Sequence, residues 1–456
     1  MKHRRPQERT WQFTRWLSVA LATSVAVLIL QACAQNPGPD DDRPRIGPSG
    51  EVMPDLRRQV RTGLSVLLDD SLRVIAGKRV GLLTNQTGID ERGRSGIDLL
   101  YSDERVTKAG VRLVALFSPE HGIRGTEDRT NLSDARDEKT KLPIFSLYTN
   151  TTIAPPDSVL KKFEVLIIDL QDVGTRTWTY VGAMLYAMRA AGRANVPVIV
   201  VDRPNPITGT HTEGAMLDTA FANPEEGTAE KRSNGFSLWP MPLRHGLTMG
   251  ELALYYKATL KLNVELHVIP MRNWRRAMWF DQTGLPFVKP SPNLPNLASV
   301  LLYPALVPFE GSNLSVGRGT AEPFTRFGAP WMRADTVTKL LADLGLTGVK
   351  FHSERFTPDK PGDGKYSGQS IPGIRIEITD RDLVQPSRVG AAILWALNKL
   401  NKDSLKIVNK TFDERLGSTS VREAIAIGTD PDAVMDRQLG RVVEFEREAR
   451  KYHLYR

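Results

Sequence analysis

Five stretches of this 456-residue chain gather acids, amides and guanidinium groups at short spacing. They are Asn85-Gln86-Thr87-Gly88; Glu120-His121-Gly122-Ile123-Arg124-Gly125; Asp169-Leu170-Gln171-Asp172-Val173-Gly174-Thr175-Arg176, with Tyr180 just beyond; Asp202-Arg203-Pro204-Asn205-Pro206; and Glu310-Gly311-Ser312-Asn313, followed by Arg318. A glutamate beside a histidine suits proton transfer, since both titrate within reach of neutral pH once their surroundings tune them. Arginine grips a carboxylate through a bidentate fork. An acid and an imidazole with Arg124 close by suit an ionisable pair placed at the lip of a sheet. A structural reading competes: Glu120 and Arg124 as a solvated ion pair, with His121 capping a turn.

What precedes each cluster tips the balance. Leu113 to Phe117 is a continuous apolar run, as in a strand buried on both faces. Pro119 ends it, and Gly122 and Gly125 allow the turn that carries Glu120 and His121. The same break follows runs at 79–84, 164–168 and 196–201. Helical periodicity lies between them, at 96–101 and at 181–194 behind Tyr180. Strands alternating with helices predict an α/β layer with a mainly parallel sheet, and ligands bind along the carboxyl edge of such sheets. The clusters at Asn85, Glu120, Asp169 and Asp202 are therefore expected to meet in one cleft.

Thr248-Met249-Gly250-Glu251 reads as a capping box opening a helix to about Leu260. Val264 to Ile269 reads as a strand, and residues 273–297 as a proline- and tryptophan-rich loop. A second, smaller α/β unit is expected from about Arg333, with a helix opened by Pro386 and terminal helices at 421–426 and 434–450. Another helix is expected over 56–70, with Leu56, Val60 and Leu64 on one face.

The leader is basic over its first 16 residues, and Leu17 to Leu30 is an uncharged apolar run too short to span a bilayer comfortably. Leu30-Gln31-Ala32-Cys33 follows and contains the chain's one cysteine. It resembles the lipobox of bacterial lipoproteins, which implies cleavage before Cys33 and lipidation of its thiol. Ala34 after it points to the outer membrane, facing the periplasm, if the cell is Gram-negative. Residues 34–50 hold four prolines and three glycines and read as a tether. The expected division is a signal peptide at 1–32, a tether at 33–55, the sheet domain at 56–330 and an auxiliary α/β domain at 331–456. Net charge is +9, but the leader carries five basic residues and one acid. The +5 that remains is too mild and dispersed for nucleic acid. A single cysteine excludes a disulfide framework and a cysteine-based zinc site. No Gly-x-Gly-x-x-Gly, His-Glu-x-x-His or Gly-x-Ser-x-Gly occurs in a fitting context, so neither a cofactor nor a metal is expected.

The assembled motifs resemble those of the bacterial exo-β-N-acetylmuramidases of the NamZ type, over about Leu64 to the C-terminus. The carriers are residues 82–88, 117–122, 169–176, 202–206 and 310–313. The resemblance implies a glycoside hydrolase with a Rossmann-like catalytic domain, a smaller C-terminal domain and a site between them. It implies release of N-acetylmuramic acid from non-reducing ends of peptidoglycan fragments, either muropeptides or disaccharides with N-acetylglucosamine. It also implies Glu120 as catalytic acid.

Chemistry adds the other expectations. His121 would hold the Glu120 carboxyl. A second carboxylate would be Asp172, Asp169 or Glu310, with Asp172 favoured, unless the substrate's own acetamide attacks. Arg124, Arg176, Arg203 or Arg318 would clamp the lactyl carboxylate, at least one of them bracing an aspartate instead. Asn85, Gln86, Asn205 and Asn313 would contact hydroxyls and amides. Tyr180, Trp178, Trp239 or Trp331 would stack on sugar rings. Two other readings remain at this point: a lipid-anchored sugar- or muropeptide-binding protein without turnover, and a metal hydrolase using Glu120, His121, Asp169, Asp172 and His211.

Overall fold

Val80 and Leu82 point to one face of a sheet and Leu83 to the other; both faces are buried. The same alternation holds for Val165 and Ile167 against Leu166 and Ile168, and for Ile199 and Val201 against Val198 and Val200. A strand covered on both faces has no polar side, which is why these runs are continuously apolar. Each such side chain contributes about 1.5–3 kcal/mol on burial. The computed structural model describes residues 59–124, 134–147, 149, 153–225 and 235–456, and the backbone of two short strands, β1 (Arg45–Ile46) and β2 (Val52–Met53). The leader, Cys33, most of the tether and Gly125 lie outside the described residues.

The chain divides into two units, residues 1–57 and 58–456. In the first, β1 and β2 pair antiparallel, Arg45 opposite Met53. The second contains a seven-stranded sheet built from β3 (Arg79–Thr84), β4 (Arg112–Ser118), β5 (Ala135–Arg136), β6 (Pro143–Ser146), β7 (Val165–Asp169), β8 (Val198–Val201) and β9 (Leu266–Ile269). Their order is β5-β6-β4-β3-β7-β8-β9, parallel throughout except for β5. The chain leaves β3 for one flank and returns to the other, so the order reverses between β3 and β7. That is where a doubly wound sheet opens a crevice.

Helices Gly63–Asp70 and Gly96–Ser102 cover one face. The first starts later than its apolar spacing suggests. Thr62 accepts a hydrogen bond from the Ser65 amide as its cap, while Val60 and Arg61 are extended against Thr283 and Arg272. Helices Thr179–Arg193 and Met249–Thr259 cover the other face, the latter opened by the expected Thr248/Glu251 capping box.

The smaller C-terminal part is built on an antiparallel sheet, β10 (Arg326–Gly328), β11 (Val349–Phe356) and β12 (Ile371–Ile378), in the order β10-β12-β11. Helix Pro386–Asn401, with Pro386 in its first turn, packs on helix Leu297–Leu306, and a Cβ on Gly390 would lie 2.5 Å from the Ala305 carbonyl oxygen. Helix Leu297–Leu306 begins where the sequence reading ends its loop and contains Pro304. The terminal stretch expected as one helix is two, Pro431–Asp436 and Leu439–Ala449. One apolar core runs from the parallel sheet through to Ile374, Ile376 and Ile393. Among the described residues no helix is long and apolar enough to cross a membrane.

Candidate active site

β4 delivers Glu120 and His121 to a cavity of about 460 Å³. The turn is closed by the Gly122 amide donating to the Pro119 carbonyl at 3.2 Å. His121, the third residue of that turn, sits at φ 68°. A left-handed conformation costs a side-chain-bearing residue about 1–2 kcal/mol, and such strain gathers at functional sites. It aims a buried imidazole at the cavity beside the half-buried glutamate.

The opposite wall is the start of helix Thr179–Arg193. Thr177, Trp178 and Thr179 line the cavity, and Thr179 Oγ1 donates to Glu120 Oε2 at 2.6 Å. Tyr180 packs edge-on against Trp178, and its hydroxyl donates to the Pro290 carbonyl at 2.8 Å. Burial pushes that phenol far above its ordinary range, and the nearby Glu120 charge adds to the shift. Ser291, Asn293 and Leu294 form a third wall, followed by Tyr303 and Phe324, whose rings meet edge-on at 4.9 Å.

Glu310, Arg318 and Arg415 close the cavity from the C-terminal half. Arg318 donates twice to Glu310 Oε1, at 2.9 and 2.6 Å, and Arg415 Nε lies 3.5 Å from Glu310 Oε2. Two cations share one anion here. Arg415 also stacks over the Phe236 ring at 4.6 Å.

Of the residues marked in the sequence, Glu120, His121, Glu310, Arg318 and Trp178 meet at the cavity, with Tyr180 directly behind Trp178. The others do not line it. Asp172 is buried in its own turn, where Oδ2 accepts from the Gly174 amide at 2.7 Å and lies 3.3 Å from His245 Nε2. Asp169 is gripped by Arg203 through two hydrogen bonds of 2.5 and 2.9 Å, so Arg203 braces an aspartate, as expected of at least one of the four arginines. Arg124 pairs with Asp137 at 2.7 Å. Arg176 is buried and donates to backbone carbonyls. Asn85 accepts from the Thr87 amide and hydroxyl. Asn205 braces a turn between Leu247 and Ile207, and Asn313 ties down Ser404 and Lys406.

The four strand ends fail to share one cleft because chain already fills the crevice between β3 and β7. Gln86 donates to the Lys289 carbonyl at 2.9 Å and Tyr180 to that of Pro290. About 20 Å³ remains there, among Thr87, Gln171, Arg203, Pro286 and Val288. The space open to a ligand is displaced toward the end of β4. His211 sits with Thr208 and Thr210, and no group of three or more His, Cys, Asp or Glu suited to a metal occurs among the described residues.

Sequence reasoning missed Thr177, Thr179, Phe236, Tyr303, Phe324, Gly362 and Arg415. It read the proline- and tryptophan-rich 273–297 stretch that carries Ser291 and Asn293 as a loop without giving it a role. Arg415 offered no signal, being one charge in a polar helix, Asn409–Leu416.

Residues 80–298 match the family model for the N-terminal part of exo-β-N-acetylmuramidase NamZ, and residues 301–455 the model for its C-terminal part. The chain is 36% identical over 399 residues to the peptidoglycan β-N-acetylmuramidase NamZ of Bacillus subtilis strain 168, covering 87% of this chain and 92% of that protein. A crystal structure of a DUF1343 family protein from Bacteroides fragilis superposes with a TM-score of 0.78 at 33% identity, over 88% of this chain and all of that one. A second protein of that family from the same organism gives 0.66 at 28% identity, over 87% and 99%.

Proposed function

The chain belongs to the exo-β-N-acetylmuramidase NamZ family, and on that premise we propose that it hydrolyses peptidoglycan fragments, releasing N-acetylmuramic acid from their non-reducing ends. The observation that carries the reading is the pairing, in one cavity, of a carboxyl group held by a neutral hydroxyl with two guanidinium groups sharing a single glutamate. Glu120 is the proton donor to the glycosidic oxygen, and His121 and Thr179 orient its carboxyl. The Arg318–Glu310–Arg415 group carries one excess positive charge, which the lactyl carboxylate of muramic acid neutralises. Trp178, Tyr303, Phe324 and Phe236 offer aromatic surface to a sugar ring.

Among the described residues Glu120 and Glu310 are the carboxylates lining the cavity, and the charge of Glu310 is engaged by two arginines. That arrangement favours attack on the anomeric carbon by the substrate's own acetamide over attack by a second protein carboxylate. The basic leader, the apolar run and Cys33 support a lipid-anchored location in the cell envelope. Cys33→Ser is expected to move the protein from the membrane to the soluble fraction, and an unchanged distribution would reject the anchor.

The deciding experiment incubates the purified protein with a disaccharide of N-acetylmuramic acid linked to N-acetylglucosamine and measures free N-acetylmuramic acid. Release supports the proposal. Binding without release would favour a carrier of sugars or muropeptides.

A further inference from the structure

Arg176 has the burial of a core residue and the charge of a ligand-binding one, yet among the described residues it pairs with no carboxylate and does not line the cavity. One of its terminal nitrogens donates to the carbonyls of Phe236, at 3.2 Å, and Glu414, at 3.1 Å; the other donates to the carbonyl of Arg415, at 2.8 Å. Glu414 and Arg415 lie in the last turn of helix Asn409–Leu416, which ends at Gly417 in the left-handed region. Carbonyls there have no partner within the helix, and a cation at that end is favoured by the helix dipole. A Cβ on Gly417 would come within 3.1 Å of the Arg176 guanidinium, so the close approach depends on glycine.

The carbonyls Arg176 holds belong to, or adjoin, the residues that build the charged wall. The Phe236 side chain is the ring on which Arg415 stacks, and Arg415 is one of the two guanidiniums flanking Glu310. The backbone of Arg176 is fixed to the sheet side of the molecule through its amide, which donates to the Leu243 carbonyl at 2.8 Å. One buried side chain from the Asp-Val-Gly-Thr-Arg loop thus sets where a residue more than two hundred positions later presents its charge.

We propose that Arg176 is a positioning residue for anion recognition: it fixes Phe236 and Arg415 as a rigid pair, and so governs how well the enzyme distinguishes a sugar bearing a carboxylate from the same sugar without one. This rests on the muramidase reading above. The test compares a chromogenic N-acetylmuraminide with its lactyl methyl ester, which keeps the ring and loses the charge. Arg176→Lys keeps a cation but replaces the planar two-nitrogen fork with a single point charge, and Arg176→Gln keeps donors without charge. Melting curves identify which variant is folded.

The expected result is a fall of roughly tenfold in the acid-over-ester ratio of kcat/KM, carried by KM for the acid, with Lys recovering part of what Gln loses. In an Arg415→Gln background, Arg176→Lys should leave the ratio unchanged, since the group it positions is gone. Equal losses on both substrates, or losses that add in the double variant, would reduce Arg176 to a structural brace and overturn the proposal. If the wild-type protein hydrolyses neither substrate, the muramidase reading fails. Calorimetric binding of free N-acetylmuramic acid and its methyl ester then reads the same ratio, and a ratio unmoved by Arg176→Lys overturns the proposal there too.

Discussion

β4 and β7 flank the same central strand, and each leads to a carboxylate at the carboxyl edge of the sheet. At the end of β7, Asp169 is 1% exposed and its charge is matched inside the protein by the bidentate Arg203, which also bonds the Ile89 carbonyl. Beyond β4, Glu120 receives a neutral hydroxyl from Thr179 and opens on the cavity. The first arrangement fixes three segments of chain to one another. The second leaves a titratable group to act on something that arrives. A strand-end carboxylate is thus not in itself a site; what its partner leaves unsatisfied decides.

The contrast makes Glu120→Gln the variant with the largest effect on turnover. It should lose about 10²–10⁴-fold on the natural disaccharide, the range for a general acid, with its melting temperature almost unchanged. A melting temperature that collapses while activity per folded molecule persists would reverse the two roles. Arg203→Met should do the opposite. Leaving Asp169 buried without its partner costs about 3–5 kcal/mol of stability, read by denaturant unfolding, while the folded fraction keeps its kcat.

Asp202, at the end of β8, extends the comparison to a third carboxylate. Burial pushes its pKa up from 3.8 to about 6, although the Tyr455 hydroxyl, the Gly250 amide and the Thr248 hydroxyl all donate to it. A carboxyl raised in the folded state favours folding while protonated, and that contribution is lost as pH rises through about 6. The stability of the wild type relative to Asp202→Asn should therefore fall by about 2 kcal/mol between pH 4 and 7. A difference that stays flat would show that the donors, and not burial, set the titration. Arg415→Gln should cost about 1.5–3 kcal/mol on kcat/KM for the muraminide and little for its methyl ester, the signature of a lost charge-assisted contact.

Much of the sheet was legible because burial on both faces leaves no polar residue inside a strand, so β3, β4, β7 and β8 stand out as apolar runs with abrupt polar ends. The Thr248/Glu251 box and Pro386 marked helix starts for equally local reasons. Helix Leu297–Leu306 was hidden because Pro304 reads as a breaker, although it sits where the α-helix passes into a tighter 3₁₀ turn at Val307–Gly311. The site was legible only in part. Asp172 and Asp169 look alike in sequence to Glu120, and nothing local tells that one accepts from its own turn while the other meets Arg203 34 residues on. Arg415 reaches the cavity by tertiary packing through Arg176 and leaves no mark in its neighbours.

The central claim, that Glu120 does chemistry where Asp169 does architecture, is tested most directly by the leaving-group dependence of Glu120→Gln. A nitrophenolate hardly needs a proton to depart, whereas a sugar hydroxyl does. Measured against wild type, the variant should lose at least about tenfold less activity on the nitrophenyl muraminide than on the natural disaccharide. Equal losses on the two substrates, accompanied by a lowered melting temperature, would contradict the account and make the Glu120 corner as structural as that of Asp169.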